Sequence, residues 1–180
     1  MKRLTLAMLL TIVAGGSESP SKAIMGGPPV ALASFALDSS HVATDFALKD
    51  QYDKLQVYQF PRSRVTVLAF GDRKGSEQIE SRVRPLYERY KERVDIHGVA
   101  VLSAVPTVAR GVVRRIMKHQ VKQPVMLDWS GSVAKKYDYT SGAASIVVID
   151  RNGRILLRTA GAANDTSLGR VYGQIDKLLP

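Results

Sequence analysis

The 180-residue sequence predicts a single α/β domain in which a central mixed sheet is covered by helices. Three observations carry this. Apolar runs rich in β-branched residues alternate with longer segments whose apolar residues recur at helical spacing. The crossovers which that order requires imply parallel pairing among the early strands. Late in the chain, Arg151-Asn152-Gly153 separates two apolar runs, and Asn-Gly is the strongest short hairpin signal, so an antiparallel pair ends the sheet.

In chain order, residues 46–48 and 54–57 are short extended pieces around Asp50, Gln51 and Asp53 that suit a hairpin, and Pro61 ends that region. Residues 64–70 form a buried-type strand. A helix over 76–93 places Ile79, Val83, Leu86, Tyr87, Tyr90 and Val94 inward. Glu77, Gln78 and Glu80 suit its first turn and Arg89, Lys91 and Arg93 its last, while Pro85 is expected to bend or split it. Residues 94–102 are the second central strand. A second helix over 108–120 turns Val112, Val113, Ile116 and Met117 inward and Arg110, Arg114, Arg115 and Lys118 outward. A short strand over 124–127 leads through Asp128 and Trp129 to a short helix over 130–137, with Ser130 as its capping candidate. Strands over 145–150 and 154–159 flank the Asn-Gly turn. The last helix, over 166–179, turns Leu168, Val171, Ile175 and Leu178 inward.

The first residues have a different character. Lys2 and Arg3 precede the apolar run 4–14, and Ser21-Lys22-Ala23 offers small residues where a signal peptidase reads. The expectation is a secretory signal over 1–23 cleaved after Ala23, because the run is well short of the ~20 residues a spanning helix needs. Residues 24–45, rich in Gly, Pro, Ala and Ser, form a flexible leader, and 46–180 the folded domain. The expected product is an exported protein, periplasmic in a cell with two membranes.

Composition then limits the chemistry. The sequence has no cysteine, which excludes intrinsic thiol–disulfide exchange, thiol peroxidation, thiolate metal binding and lipid attachment at a cysteine. Lys plus Arg number 26 against 16 Asp plus Glu. Removing Lys2, Arg3, Lys22 and Glu18 with the signal leaves 23 against 15, a formal charge of +8. Such an excess suits solubility alone, an unidentified acidic exported protein or an anionic surface; for an exported chain, nucleic acid is the least suitable partner.

From residue 64 onward the order of elements resembles the thioredoxin fold in its redoxin and peroxiredoxin-like form, a three-layer sandwich. The residues that carry the resemblance are VTVLAF, the proline-containing EQIESRVRPLYERY, LDWSGSVAKKYDY and IVVIDRNGRI. The resemblance implies a redox site in the turn after the first central strand, where active members hold a nucleophilic cysteine packed beside a cis-proline that precedes the penultimate strand. Here GDRKGSEQ fills the turn and the proline position falls at about Ala144, so Ala143-Ala144 is expected to be trans. The same turn and tail resemble a group of exported, cysteine-free thioredoxin-like proteins.

Other chemistry finds little support in the residues. Ser76, Ser103, Ser130 and Ser145, with His41, His97 and His119 and the carboxylates of Asp72, Asp128 and Asp150, show no Gly-x-Ser-x-Gly elbow. His97 sits mid-strand and is read as a partly buried histidine with a backbone partner. No metal-ligand spacing, phosphate loop or dinucleotide fingerprint is present, so neither a metal nor a cofactor is expected.

Binding remains. Arg73, Lys74, the Ser76 hydroxyl and free N–H groups at a helix start would make an anion or partner contact; alternatively Asp72 pairs with one of the cations and Ser76 caps the helix. Trp129 either stacks on a ligand or caps the edge of the core. Ala144 adjoins the turn. Arg110, Arg114, Arg115, Lys118 and Lys122 form a second basic surface, for an acidic partner or as a solvated face. Two readings follow: a non-catalytic binding or chaperone-like module, or a redoxin-type oxidoreductase relative that depends on a partner's thiol or a cofactor.

Overall fold

The structure, a computed structural model, describes residues 42–179. The expected signal over 1–23, the expected leader up to residue 41 and His41 lie outside them.

The architecture is a five-stranded mixed sheet between helices, with a two-stranded hairpin at one side. Its elements are β1 (Phe46–Lys49), β2 (Leu55–Tyr58), β3 (Val65–Gly71), α1 (Ser76–Tyr90), β4 (Val94–Val101), α2 (Arg110–Gln120), β5 (Val125–Asp128), α3 (Ser132–Lys136), β6 (Ser145–Ile149), β7 (Ile155–Ala160) and α4 (Asp165–Asp176). The order across the sheet is β5-β4-β3-β6-β7. β3, β4 and β5 run parallel, and β6 and β7 are antiparallel to their neighbours.

β3 is the central strand, and all seven of its residues are buried. Its alternate side chains feed two cores, as the two-residue period of a strand requires. Val65, Val67 and Ala69 pack with Ile79, Val83, Leu86 and Tyr90 of α1 and with Val171 and Ile175 of α4. Leu68 and Phe70 face Val133, Ala134 and Tyr137, together with Phe46 and Tyr58 of the hairpin. The chain just before β1 joins this second core: Ala43 is buried, its N–H donates to the Gly153 carbonyl at 2.7 Å, and the Tyr137 hydroxyl donates to the Thr44 carbonyl at 2.9 Å.

The β1–β2 hairpin is held against β5 by two buried polar side chains. Gln51 donates to the Val121 and Gln123 carbonyls at 3.1 and 2.7 Å and accepts from the Val125 N–H at 2.8 Å. Asp50 accepts from the Tyr52 and Lys54 N–H groups and from the Gln56 amide, and bridges Met126. With every strong donor and acceptor engaged, their burial costs little.

Several local expectations need correction. α1 passes Pro85 as one continuous helix; Pro85 is only half-buried, with exposed Ser81 and Arg84 beside it, so water can reach the carbonyl that loses its partner. Tyr87 lies on the exposed side of α1, and its hydroxyl reaches back to the Ile96 carbonyl at 2.7 Å. Arg82, a charged residue amid this helix's apolar pattern, is buried. The second helix opens as a 3₁₀ turn, Thr107–Ala109, and Val112 is exposed, with only Val113 of that helix fully buried. The Asn-Gly turn occupies 150–154, where Asp150 accepts from the Asn152 and Arg154 N–H groups and Gly153 takes a positive φ of 89°. The short helix starts at Ser132 behind Gly131, and two side chains satisfy its first-turn donors: the Ser130 hydroxyl accepts from the Ser132 N–H at 3.2 Å and Asp128 from the Ala134 N–H at 2.8 Å. His97 packs edge-on against Tyr58, has no backbone partner among the described residues, and burial lowers its pKa.

Candidate functional site

The carboxyl ends of β3, β4 and β5 and the start of β6 share one edge of the sheet. In open α/β sheets ligands gather at this edge, because helix starts and loops converge there. At its centre the turn between β3 and α1 meets the loop that leads into β6.

Asp72 organises this junction. Its carboxylate accepts from the Gly75 N–H at 2.8 Å, the Ser141 hydroxyl at 2.6 Å and the Gly142 N–H at 2.7 Å. Its own N–H donates to the Tyr139 hydroxyl at 2.8 Å, and its carbonyl accepts from the Ser76 N–H at 2.8 Å. Partial burial disfavours the charge, but the hydrogen bonds outweigh it and hold the carboxyl below the usual aspartate range. Burial likewise raises the Tyr139 hydroxyl to about 12, so it stays protonated.

This geometry differs from both sequence alternatives. Asp72 makes no ion pair with Arg73 or Lys74 among the described residues; its carboxylate accepts from the Gly75 N–H just before the helix and ties the turn to the opposite loop. Ser76 does not cap, since its hydroxyl donates to the Arg73 carbonyl at 2.7 Å. The helix N-cap is Gly75, without a side chain to do the job. The Gly75 and Ser76 N–H groups are both engaged, and Arg73 and Lys74 are exposed at the tip of the turn.

Gly75 is also where the turn comes nearest to its neighbour. A Cβ there would lie 2.6 Å from the Ala143 carbonyl oxygen and 3.1 Å from the Ala144 nitrogen. The Gly75 φ of −63° is ordinary, so close approach rather than backbone conformation requires glycine. Ala143-Ala144 is trans; among the described residues the cis bond is at Phe60-Pro61. Ala144 is buried, donates its N–H to the Gln78 side chain at 3.3 Å and accepts from the Gly161 N–H at 2.9 Å, which leaves it no surface for a ligand in this conformation.

Trp129 sits at the end of β5, two strands and hence about 10 Å from the β3 turn. It is half-buried, and the Arg110 guanidinium lies over its ring at 5.5 Å. Of the basic surface, Arg110 is therefore stacked and Arg114 pairs with Asp53 at 3.4 Å. Arg115 and Lys118 are exposed. Among the described residues no group of three or more His, Asp or Glu is placed to hold a metal ion.

Residues 40–158 match the model of the AhpC/TSA family. The chain belongs to that family. Its fold is thioredoxin-like, as three solved structures illustrate. One is described as a putative thiol:disulfide interchange protein DsbE from Chlorobium tepidum, 20% identical, covering 81% of this chain and 100% of that one at a TM-score of 0.61. The exposed lipoprotein thioredoxin Etrx1 of Streptococcus pneumoniae is 16% identical over 73% and 99% of the two chains, at 0.59. A peroxiredoxin-like protein from Aquifex aeolicus is 14% identical over 77% and 85%, at 0.53. A comparison with curated proteins finds no match.

The residues that close this AhpC/TSA member's turn were not among those singled out in the sequence: Tyr139, Ser141, Gly142 and Gly75. Gly142, with a φ of 87°, carried a usable signal, a glycine in a polar loop just before a strand.

The Asp72 network predicts a pH signature. Replacing Asp72 by asparagine is expected to cost about 2 kcal/mol at neutral pH, because the amide cannot accept from Gly75, Ser141 and Gly142 together. A folded pKa below the unfolded value of about 3.9 means that the carboxylate stabilises fully above that value and loses its effect as pH falls through the lower folded one. Urea midpoints of the two proteins should thus differ at pH 7 and converge below about pH 4.

Proposed function

We propose that this AhpC/TSA member is a non-catalytic, exported binding or chaperone-like module that uses the carboxyl edge of its sheet as a contact surface. The observation that carries the reading is the closure of the redox address. The chain has no cysteine, the turn is bound to the opposite loop through Asp72, and Gly75 leaves no room for any side chain against Ala143. A side chain poised for nucleophilic attack has no place in that packing. Exposed Arg73 and Lys74 at the tip favour an acidic partner. Export is supported by Lys2 and Arg3, the apolar run that follows and Ser21-Lys22-Ala23.

The test uses the purified chain lacking residues 1–23. Insulin reduction and peroxide consumption at background rates are expected, and turnover that survives removal of contaminating thiols would reject the non-catalytic reading. Capture of proteins from the exported compartment should fall at least tenfold on the double charge reversal Arg73→Glu, Lys74→Glu. Unchanged capture would remove the turn as the contact.

A further inference from the structure

Residues 96–127 contain five Lys or Arg and no Asp or Glu. α2 runs through the middle of this stretch. On its outer side Val108 and Val112 are 92% and 60% exposed, four residues apart, and Arg115 and His119 follow at helical spacing on the same side. A Cβ on Gly111 would meet nothing within 4 Å, which marks this side as open. Arg115, Lys118 and Lys122 are unpaired among the described residues, whereas Arg114 is engaged with Asp53 and Arg110 with Trp129. The other end of α2 is anchored: the Gln51 amide and the Tyr52 hydroxyl both donate to the Val121 carbonyl.

We propose that this face of α2 docks the protein on an anionic lipid bilayer, with Val108 and Val112 at headgroup depth and Arg115, Lys118 and Lys122 on the lipid phosphates. The face belongs to a single helix of about 16 Å. Its unpaired cations and two exposed aliphatic side chains supply electrostatic attraction and a small apolar contact, the two contributions that hold a peripheral helix at an anionic membrane surface. Among the described residues no helix is long and apolar enough to cross a membrane. The inference rests on the binding reading above insofar as it names an anionic partner, but it uses a different surface from the Arg73 turn.

Flotation with vesicles tests it, using the chain without residues 1–23. Binding to phosphatidylcholine vesicles containing phosphatidylglycerol, and none to phosphatidylcholine alone, is expected, weakening as salt shortens the screening length. Arg115→Glu with Lys118→Glu should reduce partition at least 25-fold, at about fivefold per cation. Val112→Asp, at an exposed position, should reduce it further at high salt. Lys135→Glu with Lys136→Glu removes the same charge from exposed positions of α3 and should have little effect. Equal loss in the two double variants would reduce the attraction to net charge and overturn the assignment. So would loss only in Arg73→Glu, Lys74→Glu, or retention of an acidic polypeptide such as polyglutamate with no vesicle binding. The redox assays are read separately, so failure here leaves the non-catalytic reading standing.

Discussion

Gly75→Ala is expected to destabilise the protein by about 3 kcal/mol, a loss seen as a lowered urea midpoint with an unchanged denaturant slope. The added methyl would sit 2.6 Å from the Ala143 oxygen and 2.7 Å from its carbon, both backbone atoms that no rotamer change can move away. Relief requires the turn and the 141–144 loop to separate, and Asp72 opposes that through Ser141 and Gly142. Gly111→Ala is the matched comparison. It lies inside α2 with open space at its Cβ, so the same change should stabilise by up to about 1 kcal/mol through helix propensity. If both substitutions behave alike, the turn and the loop are not in close contact in solution, and the closed redox address loses its main support.

That contact also marks where sequence reading stops. β3 and β6 were legible because near-continuous apolar runs bounded by polar turns have few other solutions, β4 because apolar residues alternate with Asp95 and His97 before an apolar end, and the position of the turn between β3 and α1 followed from them. What the turn does was not legible, because Tyr139, Ser141 and Gly142, which tie Asp72 to the opposite loop, lie 67 to 70 residues away and have no local pattern. The inner face of α2 failed for a related reason. Val112 and Val113 are adjacent and periodicity alone chooses poorly between them; in the fold Val113 is the buried one, and the side of α2 toward the domain carries Arg110 over Trp129 and Arg114 beside Asp53. Gln51 shows the same limit at the sheet edge. A polar residue in a predicted turn proved to be the link to β5 and the segment before it, through three backbone groups 70 to 74 residues away.

Arg82 offers the second large effect. Its side chain is 2% exposed between α1 and the end of β7, where it donates to Thr159 Oγ1 at 2.6 Å and to the Ala162 carbonyl at 3.3 Å, while its Nε has no partner. Neither of its acceptors is a carboxylate, and burial lowers its pKa from the ordinary arginine value. A basic group whose folded pKa lies below its unfolded one is a group whose charge opposes folding throughout the range in which it is protonated. The volume and the two hydrogen bonds therefore stabilise, and the charge does not. Arg82→Ala, which removes all three, is expected to cost about 3 to 4 kcal/mol through the cavity and the buried Thr159 hydroxyl left without its partner. Arg82→Met keeps most of the volume and removes the buried charge, so it should cost about 1 kcal/mol or less. Thermal unfolding of the two variants beside the parent protein measures the difference. If methionine proves as damaging as alanine, the guanidinium fork is what holds the 160–164 segment over α1, and the hydrogen bonds, rather than the packing, set the cost.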